Sequence, residues 1–178
     1  MKRLLVGFGL LLLAVVVARP GTRAGASLDA LQFLEGRWVG EGASEVGKGS
    51  GYASFERDLQ GKVLVRRNHA EYPASEGKPP YVHDDLMIIY PDVKGGVRAF
   101  YTDNEGHVIH YGISIREGGA GATFLSDGDA PRYRLSYVQT GPGRMTILLE
   151  TAAAEGAAFH KLVEGRMVKA AAQTAAKP

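Results

Sequence analysis

The sequence predicts an all-β fold, an antiparallel up-and-down closed barrel of about ten strands with a short N-terminal helix. Three observations carry this. The hydrophobic period changes from three to two after Gly36 and stays at two; the breaks between periodic runs are short and rich in Gly or Pro; and no connection has room for the dozen or more residues of a helical crossover between parallel strands. Closure is favoured over a two-layer sandwich because it leaves no unpaired edge and needs no long Greek-key connection.

Residues 1–26 read as a secretory leader. Lys2 and Arg3 precede the apolar run from Leu4 to Ala18, and small residues follow at Ala24-Gly25-Ala26, with cleavage expected after Ala26. The run is about 15 residues, short of the ~20 that a spanning helix needs, so a soluble periplasmic or secreted protein is expected, with no membrane span after leader removal. Removing Lys2, Arg3, Arg19 and Arg23 turns 21 basic against 19 acidic residues into 17 against 19, a net charge of −2. No clustered basic patch remains, which excludes a nucleic-acid binder. The absence of Cys excludes disulfide scaffolds, thiolate metal sites and cysteine nucleophiles together.

Ser27 to Leu34 carries Leu28, Leu31 and Leu34 at spacing three, with Ser27 as N-cap, which predicts one short amphipathic helix stopped by Gly36. Strands are then expected at Arg37 to Glu41, Gly51 to Arg57, Lys62 to Tyr72, Val82 to Tyr90, Val97 to Asp103, His107 to Arg116, Thr123 to Ser126, Arg132 to Thr140, Met145 to Thr151 and Phe159 to Lys169. Gly47-Lys48-Gly49-Ser50-Gly51 precedes a strand and not a helix, so it reads as a mobile loop at the barrel mouth and not as a phosphate cradle. A hairpin centred near Glu76 joins the third and fourth strands. Asp103-Asn104-Glu105-Gly106-His107 fits a type I turn closed by Gly106 at positive φ, and Gly141-Pro142-Gly143 supplies another reversal. Alternation places Ile109, Tyr111, Ile113 and Ile115, with His107, on the inner face, and groups Met145, Ile147 and Leu149 on one side of a later strand. One domain is expected over 27–169, followed by a flexible Ala-rich tail at 170–178.

The stretch Phe33-Leu34-Glu35-Gly36-Arg37-Trp38-Val39-Gly40-Glu41-Gly42, a short helix followed by Gly-x-Trp opening the first strand, resembles the lipocalin-like (calycin) barrels. Its Gly-x-Trp-x-Gly-x-Gly form is similar to the nitrobindin-like haem-binding barrels. Gly61-Lys62-Val63-Leu64-Val65-Arg66-Arg67, His83-Asp84-Asp85-Leu86-Met87 and Tyr101-Thr102-Asp103-Asn104-Glu105-Gly106-His107-Val108-Ile109 resemble an uncharacterised family of bacterial exported lipocalin-like proteins. The resemblance implies a structural plug at one barrel end made by Trp38, with Arg166 or Arg134 packed on the indole. It also implies, as an alternative, His160 as the proximal ligand of a haem. The Tyr-Pro that follows the glycine motif in nitrobindin-like barrels is replaced here by Ala43-Ser44.

Two further groups bear chemistry. Arg67, His69 and Glu71 share one face of a strand, and His83 and Asp85 share one face of the next. Pointing inward, they form a polar cluster at the mouth that fixes a ligand, holds a metal through His69, His83 and Asp85, or serves a hydrolase or isomerase; pointing outward, they are solvated cross-strand pairs. Asp103 falls opposite His107 across a turn, either as an acid/base pair or as part of a well-capped hairpin, and Tyr101 and Tyr111 line the inner wall. No Gly-x-Ser-x-Gly elbow, phosphate loop, zinc helix or calcium loop occurs. The expectation is a non-enzymatic barrel holding a small, largely apolar or amphipathic ligand, oriented by Arg67, His69, His83, Asp85, Tyr101, His107 and Tyr111, with no cofactor unless the haem alternative holds.

Overall fold

The computed structural model describes residues 27–41, 49–75 and 77–171. The leader, most of the glycine-rich loop, Glu76 and the tail from 172 lie outside the described residues.

Spacing three in Leu28, Leu31 and Leu34 matches three residues per turn, and the N-terminal helix Leu28–Leu34 is accordingly a 3₁₀ helix. All three leucines are buried, and the Ser27 hydroxyl accepts from the Ala30 amide at 3.3 Å, as a cap should. Seven residues are long for this helix type, and tertiary contacts hold it. It packs against two strands of the sheet, Tyr81–Pro91 and Gly121–Ser126. Arg57 reaches across to Glu35 at 2.7 Å, the Leu28 carbonyl at 3.1 Å and Asp29 at 3.2 Å.

Ten strands follow: β1 (Gly36–Gly40), β2 (Ser50–Asp58), β3 (Val63–Tyr72), β4 (Tyr81–Pro91), β5 (Val97–Asp103), β6 (Val108–Ile115), β7 (Gly121–Ser126), β8 (Arg132–Gly141), β9 (Arg144–Ala152) and β10 (His160–Lys169). Each pairs antiparallel with its sequence neighbours, and β1 pairs with β10 to close the barrel. All ten expected strands are present. The sixth begins one residue later than expected, because Asp103 captures the His107 amide at 2.9 Å and holds it in the turn. Gly106 has φ +91°, as the turn requires. Gly51 answers a different need: a Cβ there would stand 2.0 Å from the His69 carbonyl oxygen, so β2 and β3 could not approach as they do.

Strand direction alternates, so the helix, Trp38 and the β2–β3, β4–β5, β6–β7 and β8–β9 turns gather at one end, the floor. The β3–β4, β5–β6, β7–β8 and β9–β10 connections ring the other end, the mouth. Above the floor runs a chain of edge-to-face rings, with Phe55–Tyr137 and Tyr137–Phe124 centroids 5.6 Å apart, Phe124–Tyr111 6.3 Å and Tyr111–Tyr101 6.4 Å. Trp38 is 1% exposed and its indole N–H donates to the Leu34 carbonyl at 2.7 Å, tying β1 to the last turn of the helix. The expected arginine on the indole is replaced by Lys169, whose Nζ lies 5.6 Å from the ring centroid and which sits opposite Trp38 in the β1–β10 ladder. Arg166 is one of the exposed positions of β10 and pairs in register with outward Thr146. Arg134 is outward too, gripped by both oxygens of Glu150 at 2.6 and 2.8 Å and stacked on Phe159.

Because Trp38 combines a large buried ring with a bond to an otherwise open helix carbonyl, Trp38→Ala should lower unfolding free energy by about 3–5 kcal/mol in urea titrations, and Trp38→Phe by less. An effect below about 1 kcal/mol for the alanine variant would contradict the plug.

Candidate functional site

Residues directly opposite in an antiparallel sheet share a face, and this decides which side chains enter the barrel. The β3–β4 register pairs Ala70 with His83, Asn68 with Asp85, and Arg66 with Met87. Leu64, Met87 and Ile89 are fully buried core, so Arg66, Asn68, Asp85 and His83 face the lumen on the same two strands. Arg67, His69 and Glu71 therefore point outward. On that outer surface His69 bonds Asp84 at 2.7 Å and Glu71 at 3.0 Å, and these two carboxylates raise its pKa. The cluster grouped from the sequence is split by the barrel wall: His83 and Asp85 are inside, Arg67 and His69 outside. His69, His83 and Asp85 cannot act as one metal or acid/base set.

Arg66 was not singled out in the sequence. Val63 and Val65, alternating with Leu64, make both faces of β3 apolar at its start, so alternation alone does not reveal the inner one. The signal lay across the strands, since only the Leu64–Arg66–Asn68 face meets Ile89, Met87 and Asp85.

The lumen is an open-mouthed cavity of about 680 Å³ with two unlike walls. On β3–β5 the wall is polar: Arg66, Asn68, His83, Asp85, Tyr101 and Asp103. Opposite, on β8–β10, it is mainly apolar, made by Leu135, Ile147, Leu149, Val163, Gly165 and Met167 with Tyr133 beside them. Ile109 and Tyr111 of β6 adjoin the apolar side, as expected from alternation.

The polar wall is a ladder of opposite charges. Arg66 and Asp85, with side chains 7% and 2% exposed, form a buried ion pair. The second Asp85 oxygen lies 3.3 Å from His83 Nε2, and His83 Nδ1 lies 2.7 Å from Glu105 at the rim. These bonds to Asp85 and Glu105 outweigh partial burial and push the His83 pKa up to about 9, so at neutral pH both ring nitrogens donate. Burial works against the Arg66 cation, yet its neighbours Tyr137, Asp85, Tyr101 and Tyr111 leave its pKa raised. Tyr101 donates to Asp103 at 3.0 Å, and burial with Asp85 nearby raises its pKa far above the ordinary phenol value. Burial tends to raise the Asp103 pKa, but bonds from the His107 amide, the His107 ring, Tyr101 and the Glu105 amide bring it below normal. The expected Asp103–His107 contact is present at 2.8 Å, and the same carboxylate accepts the Glu105 and His107 amides and so caps the turn.

His83, Asp103 and Glu105 each offer an atom within 4.8 Å of the others, a possible cation set at the mouth. A cation there would have to displace the His83 proton and the bonds just described. His160, implied by resemblance as a haem ligand, opens β10 opposite Thr151 as an exposed residue and is not among those lining the lumen. His83 commits both ring nitrogens to carboxylates, and His107 stands at the exposed rim with its Nδ1 on Asp103. His160 is not placed to hold a haem iron inside the lumen.

No protein-family model matches the chain, and no curated protein matches it. The closed ten-strand antiparallel barrel is consistent with a calycin-like fold. Among the described residues no helix is long and apolar enough to cross a membrane.

Two outcomes follow from the ladder. Asp85→Ala leaves the Arg66 charge buried without its counter-ion and should cost about 3–5 kcal/mol of stability, while the double variant Arg66→Met/Asp85→Leu should recover most of it. Equal stabilities for single and double variants would mean that the two charges do not depend on each other. The His83 pKa is higher in the folded chain than the ordinary 6.5, so its contribution is complete below about pH 6.5 and is lost as pH rises through about 9. Urea titrations should show stability falling over that interval, with a shallower fall in His83→Gln; parallel curves would refute the assignment.

Proposed function

We propose that this chain is an exported, non-catalytic carrier that takes a small amphipathic molecule into its barrel, with the molecule's apolar side against β8–β10 and its polar edge against β3–β5. The observation that carries this reading is the two-faced lumen. A cavity of about 680 Å³ lies within the range of small-molecule sites, and it opens at the mouth while the helix and Trp38 seal the floor. Few precisely held polar groups among apolar walls is the usual composition of a binding pocket. The calycin-like architecture agrees with this use, although fold does not itself specify function.

The pattern also refines the expected ligand. A wholly apolar guest would leave the lumen-facing parts of Arg66, Asn68 and Asp85 without solvent or partner, which is costly, whereas a guest with one polar edge replaces lost water on that side alone. Asn68 faces the lumen without a hydrogen bond among the described residues, so its amide is free to meet such an edge. Orientation would then come from Asn68, Tyr101, Tyr111 and the Arg66–Asp85 pair, with His83 and His107 at the entrance. Arg67 and His69 have no part in it.

N-phenyl-1-naphthylamine, a neutral amphipathic dye, should gain fluorescence on saturable one-to-one binding. Gly165 faces the lumen without positive φ, and a Cβ there would meet only the Ile147 side chain at 3.4 Å, so Gly165→Phe can fill the cavity from a tolerant position. That variant should bind the dye at least about tenfold more weakly while keeping its urea midpoint. Unchanged dye affinity in a folded Gly165→Phe, or no binding by the unaltered protein, would defeat the proposal.

A further inference from the structure

We infer that the mouth of the barrel binds one divalent transition-metal ion of the zinc class, held by the imidazole of His83 and the carboxylates of Asp103 and Glu105. The inference does not depend on a guest in the lumen.

Strand register builds this donor set. Asp85 lies opposite Asp103 across β4 and β5, so the two share a face, and His83 stands two residues from Asp85 on that same face of β4. Glu105 comes from the β5–β6 turn, two residues beyond Asp103. One donor atom from each of His83, Asp103 and Glu105 lies within 4.8 Å of the other two, and all three residues line the cavity. On the outer wall His69 also has two carboxylates, Asp84 on Nδ1 and Glu71 on Nε2, yet these sit on opposite sides of the ring and do not converge.

The two carboxylates differ in freedom. Asp103 is held in place, its side chain 3% exposed and one of its oxygens accepting the Glu105 and His107 amides at 3.0 and 2.9 Å. A ligand fixed by the backbone of a tight turn is preorganised for a cation. Glu105 is the adjustable member: its side chain is 42% exposed, and among the described residues only its Oε1 is engaged, by His83 and Tyr81. Zinc bonds of about 2.0–2.2 Å put neighbouring donors roughly 3–3.5 Å apart, so the set closes on an ion through a movement of about 1 Å, which an exposed turn side chain can supply.

Charge gives a second, independent reason. Three carboxylates gather here, Asp85, Asp103 and Glu105, and Arg66 balances one of them. A proton on His83 balances one more and leaves one over, whereas a divalent ion on the neutral imidazole balances both. His107 touches Asp103 too, but its side chain is 55% exposed, where water screens it. The ion thus takes the place of the His83 proton and of the His83–Glu105 hydrogen bond, and the proton leaves to solvent. An imidazole nitrogen in the set favours zinc-class ions over calcium and magnesium, which take oxygen donors. Three protein donors leave the fourth position of a tetrahedral site open.

The test is calorimetric titration of the untagged protein, stripped with EDTA and dialysed, with ZnCl2 and separately with CaCl2 at pH 7. The chain has no Cys, so no thiolate competes for the zinc. Zinc should bind saturably at one equivalent, and calcium at least about tenfold more weakly. Glu105→Gln and His83→Gln should each weaken zinc binding at least about tenfold, while His69→Gln on the outer wall should leave it unchanged. Glu105→Gln alters an exposed turn side chain, so it should keep the circular dichroism of the unaltered protein, and its lost binding then reports the ligand and not the fold. Absence of saturable zinc binding would overturn the inference. So would binding that survives in both mouth variants, binding lost in His69→Gln, or calcium bound as tightly as zinc.

Discussion

Closure of β1 onto β10 is the constraint on which the rest of the molecule depends. It rests on a short ladder, Trp38 to Lys169, Val39 to Val168 and Gly40 to Met167, extended at both ends by the Glu41 amide on the Arg166 carbonyl and the Ala170 amide on the Arg37 carbonyl, both at 2.8 Å. An ion pair between Glu41 and Arg144 spans the same seam. Without this seam the sheet has two free edges and the inner faces of ten strands have nothing to enclose. The N-terminal helix enters here too, because Trp38, one residue of this ladder, bonds the helix's last carbonyl. Floor and seam are thus fixed by the same side chain.

Closure also converts sequence alternation into chemistry. Every second residue of each strand is delivered to one shared interior, and the choice of residues differs from one side of the barrel to the other. The aromatic belt of Phe55, Tyr137, Phe124, Tyr111 and Tyr101 fills the lower interior. Above it, β3–β5 contribute ionisable groups and β8–β10 mainly aliphatic ones. The division runs across the barrel and not along it, so the two sides of the lumen differ in polarity.

Much of the fold was legible because its signals are local. Period two, the Gly106 turn and Leu28-Leu31-Leu34 depend on neighbouring residues, and the strands and helix fell where these placed them. Tyr101, Tyr111 and the Asp103–His107 contact were legible for the same reason: a single strand and a tight turn fix them. The Arg66–Asp85 pair was not, because it exists only in the register between β3 and β4, and a shift of one residue exchanges Arg66 for Arg67. The partner of Trp38 was missed similarly. An arginine was expected on the indole, but the β1–β10 register brings Lys169 there and turns Arg166 to the outside.

A buried ion pair is a weak device for stability, since hydrophobic residues of the same volume often do as well or better. Arg66 and Asp85 must therefore be understood by what else they hold. Asp85 continues to His83 and Glu105, so the pair is the buried end of a chain of charges that leads to solvent at the mouth. Arg66, for its part, keeps a buried N–H without a partner, and the buried Tyr137 hydroxyl has none either. One end of the ladder is thus saturated and exposed, and the other is buried and unsatisfied. A structure built only to be stable would reverse this, leaving its open valences where water can reach them.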